Sequence, residues 1–556
     1  MEISHPWIKH YDPGVPASIE YPKTPVSQFL VDAACQNPEQ TCTIFRDSQV
    51  SYGEMNALTD RLAVALTGLG VKKGDRVGLL MPNLPQFVLS FFGVLKMGGV
   101  VVAMNPEYRP REIAYQAGDA GVKVIISVRN AYEALKQVRG KLGLRTIIVT
   151  DPEDAFQMPV WAAGGRPAQK PWATLEPGDL WLDDLIASQP VHARPDAVAG
   201  ADDIAVFQYT GGTTGIPKGA VAPHSALVAN ALMFRHWLVG LEDGQETAVI
   251  AIPMHHVYGM VVGMMVSILL GARMVLIPDP GNLPGLLAAI EKYRVSFFPG
   301  VPTLYALINR NPDVQAGKYG LRSVRACISG SAPLLKEVRE TFERLTGAQL
   351  MEGYGLSEAP TATHCNPMFG EKRDGSIGLP LPDVDARIVS LEDGKKVLPP
   401  GEDGELVIRS PQVMRGYHNR AEETQEALRD GWLYTGDIAR MDADGYFYIV
   451  GRKKELIKVS GFQVWPREVE EVIAAFPGVQ EVSVAGIPDL IRGEAPKAWV
   501  VRRPGAAVTA EAIRAWCADQ LVDYKVPVAI EFRESLPKTI VGKVLRRELV
   551  RQHLES

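Results

Sequence analysis

Residues 209–219 combine glycines, hydroxyl side chains and one lysine in a pattern that suits phosphate binding. Glycines let backbone N–H groups approach phosphate oxygens, threonine hydroxyls add donors, and a lysine supplies a positive charge. Because Pro217 precedes Lys218 and Gly219 follows it, the run differs from the Gly-x-x-x-x-Gly-Lys-Ser/Thr phosphate loop. We therefore predict a phosphate-binding loop of another type. Its candidate ligand residues are Thr210, Gly211, Gly212, Thr213, Thr214, Gly215 and Lys218.

Two adjacent histidines, His255 and His256, follow a predicted strand and at first suggest a metal site. No third ligand stands at a metal-binding spacing from them, so we do not predict zinc. The five cysteines are scattered and form no Cys-x-x-Cys pair, which predicts neither a disulfide framework nor a zinc site. Their pattern favours a reducing, cytoplasmic location.

The elements that must position these groups alternate between short β-rich runs and amphipathic runs. We predict strands at 76–81, 122–127, 204–209, 248–252, 274–277, 295–298 and 349–352, and helices at 225–238, 264–270, 286–293 and 302–309. This order predicts an α/β fold with largely parallel sheets in two layers. The strand at 349–352 is expected to end at a Gly-Tyr-Gly turn, and the Pro-, Gly- and Trp-rich run 158–178 predicts an exposed insertion.

A chain of 556 residues exceeds what one compact core usually organises, so we predict at least two domains. Residues 452–556 hold 17 Lys and Arg against 14 Asp and Glu, a balance of +3 in a chain of formal net charge −6. This contrast predicts a boundary near Gly451, with one domain over 1–451 and a basic one over 452–556. The acidic total argues against a nucleic-acid partner. No run is apolar for long enough to span a membrane, while peripheral membrane contact and a homodimer stay open as hypotheses.

With residues 209–219 as its first motif, the chain resembles the adenylate-forming (ANL) superfamily, which includes acyl-CoA synthetases, adenylation domains of peptide synthetases and beetle luciferases. Further motifs follow in the family's order: Pro253-Met254-His255-His256, Gly330-Ser331-Ala332-Pro333, Gly353-Tyr354-Gly355-Leu356-Ser357-Glu358, Tyr434-Thr435-Gly436-Asp437, Gly451-Arg452, Val459-Ser460-Gly461-Phe462 and Val541-Gly542-Lys543. The resemblance covers nearly the whole chain. It implies a large N-terminal body of layered α/β subdomains with a small β-barrel-like part, followed by a small, mobile α+β C-terminal domain.

The resemblance also implies the chemistry and its ligands. A carboxylate attacks the α-phosphate of ATP to give acyl-AMP and pyrophosphate, and the thiol of CoA then displaces AMP. The glycine-rich loop would hold the β- and γ-phosphates, and His255 would lie near the acyl carboxylate. Thr210 and Glu358 would bind Mg²⁺, while Asp437 and Arg452 would contact the ribose or phosphate. The family's nucleotide-binding segments match Gly330, Ser331, Ala332, Gly353, Tyr354, Gly355, Ser357 and Gly461.

Three lysines take separate roles from the same resemblance. Lys543 would bridge the carboxylate and the α-phosphate during adenylation, Lys454 would mark the hinge, and Lys458 would serve the thioester-forming arrangement. Once pyrophosphate leaves, the C-terminal domain would rotate, withdraw Lys543 and bring the segment around Gly461 to the site. One active site would then serve two reactions.

The last 190 or so residues are especially similar to bacterial long-chain fatty acid–CoA ligases, in the runs 375–380, 411–417, 458–462, 524–527 and 542–549. The resemblance implies a medium- to long-chain fatty acid as substrate. An aryl- or cinnamate-type acid–CoA ligase and a fatty acyl-AMP ligase are the alternatives. A non-enzymatic fatty-acid binding protein is disfavoured, because it gives no reason for the phosphate loop, Glu358, Asp437 and Lys543 together.

The sequence offers one candidate apolar slot for the acyl chain. Its candidate residues, which are equally suited to the core, are Phe297, Phe298, Gly300, Val301, Pro302, Met260 and Met264. Some long-chain enzymes carry a gating Trp shortly after the His motif. Here that segment reads Val257-Tyr258-Gly259-Met260, so a Trp-gated tunnel is not predicted and chain length is left open.

Overall fold

The structure is a computed structural model that describes residues 5–165, 174–196, 199–210, 217–460, 462–539 and 542–555. Its strands are β1 (Thr41–Phe45), β2 (Ser48–Ser51), β3 (Arg76–Leu80), β4 (Val100–Met104), β5 (Val124–Val128), β6 (Thr146–Thr150), β7 (Leu180–Trp181), β8 (Ile204–Tyr209), β9 (Gly219–Pro223), β10 (Thr247–Ile250), β11 (Arg273–Leu276), β12 (Phe297–Gly300), β13 (Ala326–Ser329), β14 (Gln349–Leu356), β15 (Ala359–Cys365), β16 (Leu379–Pro380), β17 (Asp385–Val389), β18 (Gly404–Arg409), β19 (Leu428–Arg429), β20 (Trp432–Met441), β21 (Phe447–Arg452), β22 (Ile457–Val459), β23 (Phe462–Val464), β24 (Val479–Asp489), β25 (Gly493–Arg502) and β26 (Ala529–Arg533).

The helices pack on both faces of the sheets or cover their ends. They are α1 (Gln28–Gln36), α2 (Tyr52–Gly68), α3 (Pro85–Lys96), α4 (Pro110–Ala120), α5 (Tyr132–Leu142), α6 (Met158–Ala162), α7 (Leu182–Ala187), α8 (His224–Trp237), α9 (Val266–Leu269), α10 (Leu283–Lys292), α11 (Pro302–Arg310), α12 (Pro312–Gln315), α13 (Lys336–Thr346), α14 (Ala421–Ala427), α15 (Pro466–Ala474), α16 (Ala510–Gln520) and α17 (Arg546–Leu554). A π-helical segment, Gly259–Met265, leads into α9.

Two mostly parallel sheets form the layers of the body, as the alternating pattern predicts. One has seven strands in the order β7-β6-β5-β3-β4-β8-β9, and the other has nine in the order β16-β15-β14-β13-β12-β10-β11-β1-β2. Strands such as β4, β5 and β10 are buried along their whole length, because helices cover both faces of a parallel sheet. The α/β expectation is confirmed.

A third sheet is antiparallel and carries the acid and the arginine of the candidate ribose site. It joins β17, β18, β20 and β19 in that order, and β21 pairs with β20 along the same edge as β19. The fourth sheet, β23-β22-β25-β24 with β26 beside β25, packs against helices α15–α17. Its side chains form hydrophobic clusters that contain only residues after 456. The C-terminal α+β arrangement agrees with the expected architecture.

Two local expectations are wrong. Residues 353–355 continue β14 instead of turning, because they pair with the antiparallel strand β15, and the turn falls at residues 357–358. A β-carbon on Gly355 would lie 1.8 Å from the carbonyl oxygen of Thr361, so only glycine allows this approach. The first part of the 158–178 run is helix α6, whose Trp161 side chain is fully buried; residues 166–173 lie outside the described part. In the described ranges no helix has the length and apolar character needed to cross a membrane.

Candidate active site

A cavity of about 1000 Å³ opens at the carboxyl ends of the parallel strands β8, β13 and β14. Crevices at this end of open α/β sheets are where ligands commonly bind. The C-terminal part closes the cavity from the other side. Thirteen of the site residues expected from the sequence line it: Thr210, Lys218, His255, Gly330, Ser331, Gly353, Tyr354, Gly355, Ser357, Glu358, Arg452, Lys454 and Lys543.

The base of the glycine-rich loop is a β-hairpin whose two arms are each hydrogen-bonded to helix α4. Strands β8 and β9 are antiparallel, and the backbone N–H of Thr210 donates to the carbonyl of Lys218 at 2.9 Å. The Tyr209 hydroxyl donates to Asp119 of α4 at 2.7 Å, and the hydroxyl of Tyr115 donates to the carbonyl of Pro217 at 2.7 Å. The hairpin therefore holds Thr210 and Lys218 at the cavity. Gly211, Gly212, Thr213, Thr214 and Gly215 lie outside the described residues.

Glu358 occupies the two-residue turn between β14 and β15 and presents its carboxylate to the cavity. The Tyr417 hydroxyl donates to Glu358 Oε1 at 2.7 Å. Lys218 Nζ lies 5.0 Å from the centroid of the Tyr417 ring, within range of a cation–π contact. Burial raises the pKa of Tyr417, which keeps its hydroxyl a donor. Tyr417 therefore links the expected metal-binding carboxylate to the loop lysine.

Asp437 lies behind the cavity wall and holds two of the residues that line it. Only 2% of it is exposed, and its Oδ1 atom lies 2.9 Å from Arg452 Nε. The Tyr354 hydroxyl donates to Oδ2 of the same carboxylate. Residues 437 and 452 are direct partners in the pairing of β20 with β21, so the sheet register sets this contact.

Lys543 reaches the cavity from a hairpin of the C-terminal part. The backbone N–H of Thr539 donates to the Lys543 carbonyl at 2.8 Å, and the Lys543 N–H donates to the Thr539 hydroxyl at 3.1 Å. Burial and, to a smaller extent, the nearby Arg452 charge lower the pKa of Lys543 to about 8, although Asp437 opposes the shift. The site therefore holds a lysine that sheds its proton far more readily than one in water.

His255 lines the cavity as an uncharged group. Burial lowers the pKa of His255 to about 3 and that of His256 to about 4. His255 Nδ1 is buried and has no hydrogen-bond partner among the described residues. Nearby, Gln208 donates to the His255 carbonyl at 3.4 Å. In the part of the chain that the structure describes, no group of three or more His, Cys, Asp or Glu could hold a metal ion.

Several expected residues stand apart from the cavity. Ala332 follows Ser331 but does not line the wall, and Lys458 is exposed on β22, away from the cavity that Lys543 enters. Gly461 lies outside the described residues. In the candidate slot, Phe297, Phe298, Met260 and Met264 are fully buried core residues. The apolar wall of the cavity is formed instead by Phe234, Val257, Ile328 and Ala362.

Other residues of the site were not singled out as ligands from the sequence, although Thr435 and Gly436 belong to the motif that ends at Asp437. The cavity is also lined by Asn105, Tyr108, Gln116, Gln208, Tyr417, Arg420, Glu423, Thr435, Gly436 and Lys453. Tyr417 is the last residue of the run 411–417, which resembles long-chain ligases, so its position in that run could have identified it as a site residue. Asn105 and Tyr108 follow strand β4, and Gln208 lies in β8. The pairing of β4 with β8 brings them to the same cavity, and no local sequence pattern predicts that pairing.

Comparison with known proteins supports the family resemblance over the whole chain. Residues 30–418 match the family model described as AMP-binding enzyme, and residues 468–543 match AMP-binding enzyme C-terminal domain. A long-chain-fatty-acid–CoA ligase of Bacillus subtilis is 39% identical, with the alignment covering 100% of this chain and 99% of that protein. The Salmonella typhimurium ligase of the same name is 38% identical over 98% of this chain and 97% of its own length.

Two further relatives mark the breadth of the similarity. A feruloyl-CoA synthase of Amycolatopsis is 33% identical, over 95% of this chain and 99% of that protein. Among solved structures, ATP-bound MatB from Rhodopseudomonas palustris superposes with a TM-score of 0.83 at 29% identity, covering 95% of this chain and 99% of the other.

Proposed function

The chain belongs to the AMP-binding enzyme family, and from that premise we propose that it is an AMP-forming fatty acid–CoA ligase. It joins a medium- to long-chain fatty acid to AMP, with release of pyrophosphate, and then transfers the acyl group to CoA. The observation that carries the proposal is one cavity that gathers Thr210, Lys218, Glu358, Arg452 and Lys543 from distant parts of the chain. A carboxylate and a triphosphate repel each other. The charges of Lys218, Arg452 and Lys543 and the Thr210 donor offset that repulsion, whereas the Glu358 carboxylate would act by binding a cation.

Each residue group has a role that its surroundings support. The Thr210–Lys218 hairpin holds the β- and γ-phosphates, and Lys543 neutralises charge where the carboxylate oxygen attacks the α-phosphate. Asp437 would accept hydrogen bonds from the ribose hydroxyls in exchange for its contacts with Tyr354 and Arg452. Tyr354, with Gly330 and Ser331, borders the adenine. Uncharged His255 offers a ring nitrogen near the acyl carboxylate without adding a charge of its own. As the new P–O bond forms, the bond to pyrophosphate breaks, and pyrophosphate leaves with both bonding electrons.

Mg²⁺ fits the donors present at the loop. The Glu358 carboxylate and the Thr210 hydroxyl are hard oxygen ligands, and Mg²⁺ typically binds one or two such groups together with phosphate oxygens and water. When bound, it supplies positive charge to the triphosphate. Tyr417 would orient Glu358 for this role through its hydrogen bond to Oε1.

Two domains with a boundary near residue 451 and a hinge at Lys454 form part of the proposal. The separate hydrophobic clusters after residue 456 support independent packing of the C-terminal domain. The arrangement in the structure has Lys543 at the cavity and Lys458 exposed, which suits the adenylation step. Rotation about Lys454 would bring Lys458 and the Gly461 segment to the same cavity for thioester formation.

The acyl group would lie against the apolar wall made by Phe234, Val257, Ile328 and Ala362. An aryl-CoA ligase is the second candidate, favoured by the similarity to a feruloyl-CoA synthase. ATP and CoA as substrates, together with five free cysteines, suit a cytoplasmic location. Light scattering tests a homodimer, and flotation with phospholipid vesicles tests peripheral membrane contact.

Pyrophosphate release across a panel of acids, with and without CoA, tests the proposal. We expect ATP- and fatty-acid-dependent release, with thioester formed only when CoA is present. Release without thioester would indicate a fatty acyl-AMP ligase. A rate maximum at cinnamate or benzoate analogues would indicate an aryl-acid ligase, and absence of release with every acid would contradict adenylation altogether.

A further inference from the structure

Helix α15 of the C-terminal domain contacts the last strand of the body, β21. The Arg467 side chain, which is 18% exposed, donates from Nη1 to the Ile449 carbonyl oxygen at 2.6 Å. Its Nε donates to Glu471, one turn further along α15, at 2.9 Å. Trp465 lies over Gly451, where an added β-carbon would come within 3.2 Å of the indole ring. The contact between α15 and β21 is therefore close and includes a hydrogen bond from a charged guanidinium to a backbone carbonyl oxygen.

A buried carboxylate of the body lies close enough to Arg467 to interact with its charge. Glu352 is buried, with 7% of the residue exposed. Burial raises the pKa of Glu352 to about 8, and the Arg467 charge opposes that rise. Glu352 directly precedes the 353–355 segment at the cavity, and Ile449 lies three residues before Arg452. Arg467 thus binds the backbone of β21 directly, and its charge opposes the rise in the pKa of Glu352 on β14.

We propose that Arg467 is a positioning residue that holds the C-terminal domain in the arrangement with Lys543 at the cavity. This inference rests on the proposed two-step function. β21 precedes the proposed hinge at Lys454 and α15 follows it, so rotation about the hinge must separate Arg467 from Ile449. Arg467 therefore favours acyl-AMP formation and makes no contribution to the thioester-forming arrangement.

A neighbouring arginine shows the contrast within the same domain. Arg546 binds Glu470 through a paired contact at 2.8 Å and also binds Glu455. All three residues lie after Lys454, so the rotation leaves these bonds intact. Breaking the Arg546 network would destabilise the domain in both arrangements, whereas removal of Arg467 acts on one arrangement only.

The experiment measures the two half-reactions separately in the full-length protein. The first readout is single-turnover pyrophosphate release from ATP and a fatty acid, and the second is thioester formation from supplied acyl-AMP and CoA. For Arg467→Ala we expect the first rate to fall about 10-fold, in the range for losing one hydrogen bond to a charged donor. The second rate should stay equal to wild type or rise.

Three further variants separate positioning from general stability. Arg467→Lys, which keeps the charge but lacks the planar fork, should recover part of the first rate. Glu471→Gln removes the partner on the same helix and should keep the first rate near wild type, because the Ile449 contact survives. Arg514→Ala, at an exposed position of α16, should change neither rate. Thermal unfolding reports whether each variant is folded.

The outcomes are distinguishable. Equal loss in both half-reactions of folded Arg467→Ala, or no change in either, would overturn the positioning role while the ligase proposal stands. No pyrophosphate release by the wild-type protein with any acid would instead overturn the proposed function. If Arg467→Ala does not fold, an unchanged ratio of the two rates in Arg467→Lys overturns the inference.

Discussion

Asp437 and Arg452 face each other across neighbouring antiparallel strands, with Arg452 Nε 2.9 Å from Asp437 Oδ1. The Tyr354 hydroxyl binds the other carboxylate oxygen. Coulombic attraction by Asp437 raises the pKa of Arg452, so the guanidinium stays charged. An acid from β20, a base from β21 and an aromatic ring from β14 thus form one unit at the nucleotide end of the cavity.

This unit predicts a graded loss of ATP binding. Asp437→Asn keeps the shape of the side chain but removes the charge that accepts the ribose hydroxyls and holds Arg452. We expect kcat/KM for ATP to fall about 10- to 100-fold, the range for one or two hydrogen bonds to a charged group. Tyr354→Phe removes only the hydroxyl and should cost less. A larger loss in Tyr354→Phe than in Asp437→Asn would contradict a ribose role for the acid.

Lys458 and Lys543, which both follow the proposed hinge at Lys454, should affect opposite half-reactions. Lys543→Ala should lower acyl-AMP formation by about 100-fold or more, because it removes a charge at the point of attack. It should spare thioester formation from supplied acyl-AMP. Lys458→Ala should show the reverse bias, and Lys538→Ala, whose side chain binds Glu481 at 2.8 Å, is the matched control on the 537–545 hairpin. Equal effects of Lys543→Ala on both steps would remove the argument for separate roles.

The depressed pKa of Lys543 predicts a basic limb in the pH profile. Below about pH 8 the amine is protonated and can neutralise charge, and above it the proton is lost, so kcat/KM for ATP should decline as pH rises through about 8. Lys543→Arg, which stays charged, should be less active but lack this limb. His255 and His256 are already neutral above about pH 4 and should contribute no acid limb between pH 5 and 7. If the basic limb persists unchanged in Lys543→Arg, the limb reports the titration of another group.

The apolar wall predicts a dependence on acyl chain length. Each buried CH₂ contributes roughly 0.8 kcal/mol, so kcat/KM should rise with chain length until the cavity ends. Ala362→Phe should fill space at this wall and shift the preference to shorter acids. Leu307→Ala, at an exposed position of α11, should leave the length profile unchanged. A profile without any length dependence would speak against an acyl chain at this wall.

Many strands and helices of the body could be predicted, because the hydrophobic pattern of each segment favours the same element that tertiary packing requires there. The predicted strand at 204–209 matches β8, and helix α8 lies within one residue of the predicted 225–238 at each end. Strand β14 was predicted only in part. Its 353–355 extension depends on pairing with β15, a tertiary contact that overrides the turn preference of glycine. Helix α6 was missed because Trp161 is stabilised by burial rather than by local periodicity.

The order of motifs by itself determined the family, the two expected reactions and most of the residue types at the site, because phosphate, ribose and carboxylate each need particular donors. Only the tertiary structure decided which of them meet. Lys543 is 106 residues from Asp437 in the chain, yet its pKa responds to that carboxylate, whereas Lys458, much nearer in sequence to Asp437, is exposed away from the cavity. In the structure α15 contacts β21 through the hydrogen bond from Arg467 to the Ile449 carbonyl, and in this arrangement Lys543 rather than Lys458 lines the cavity.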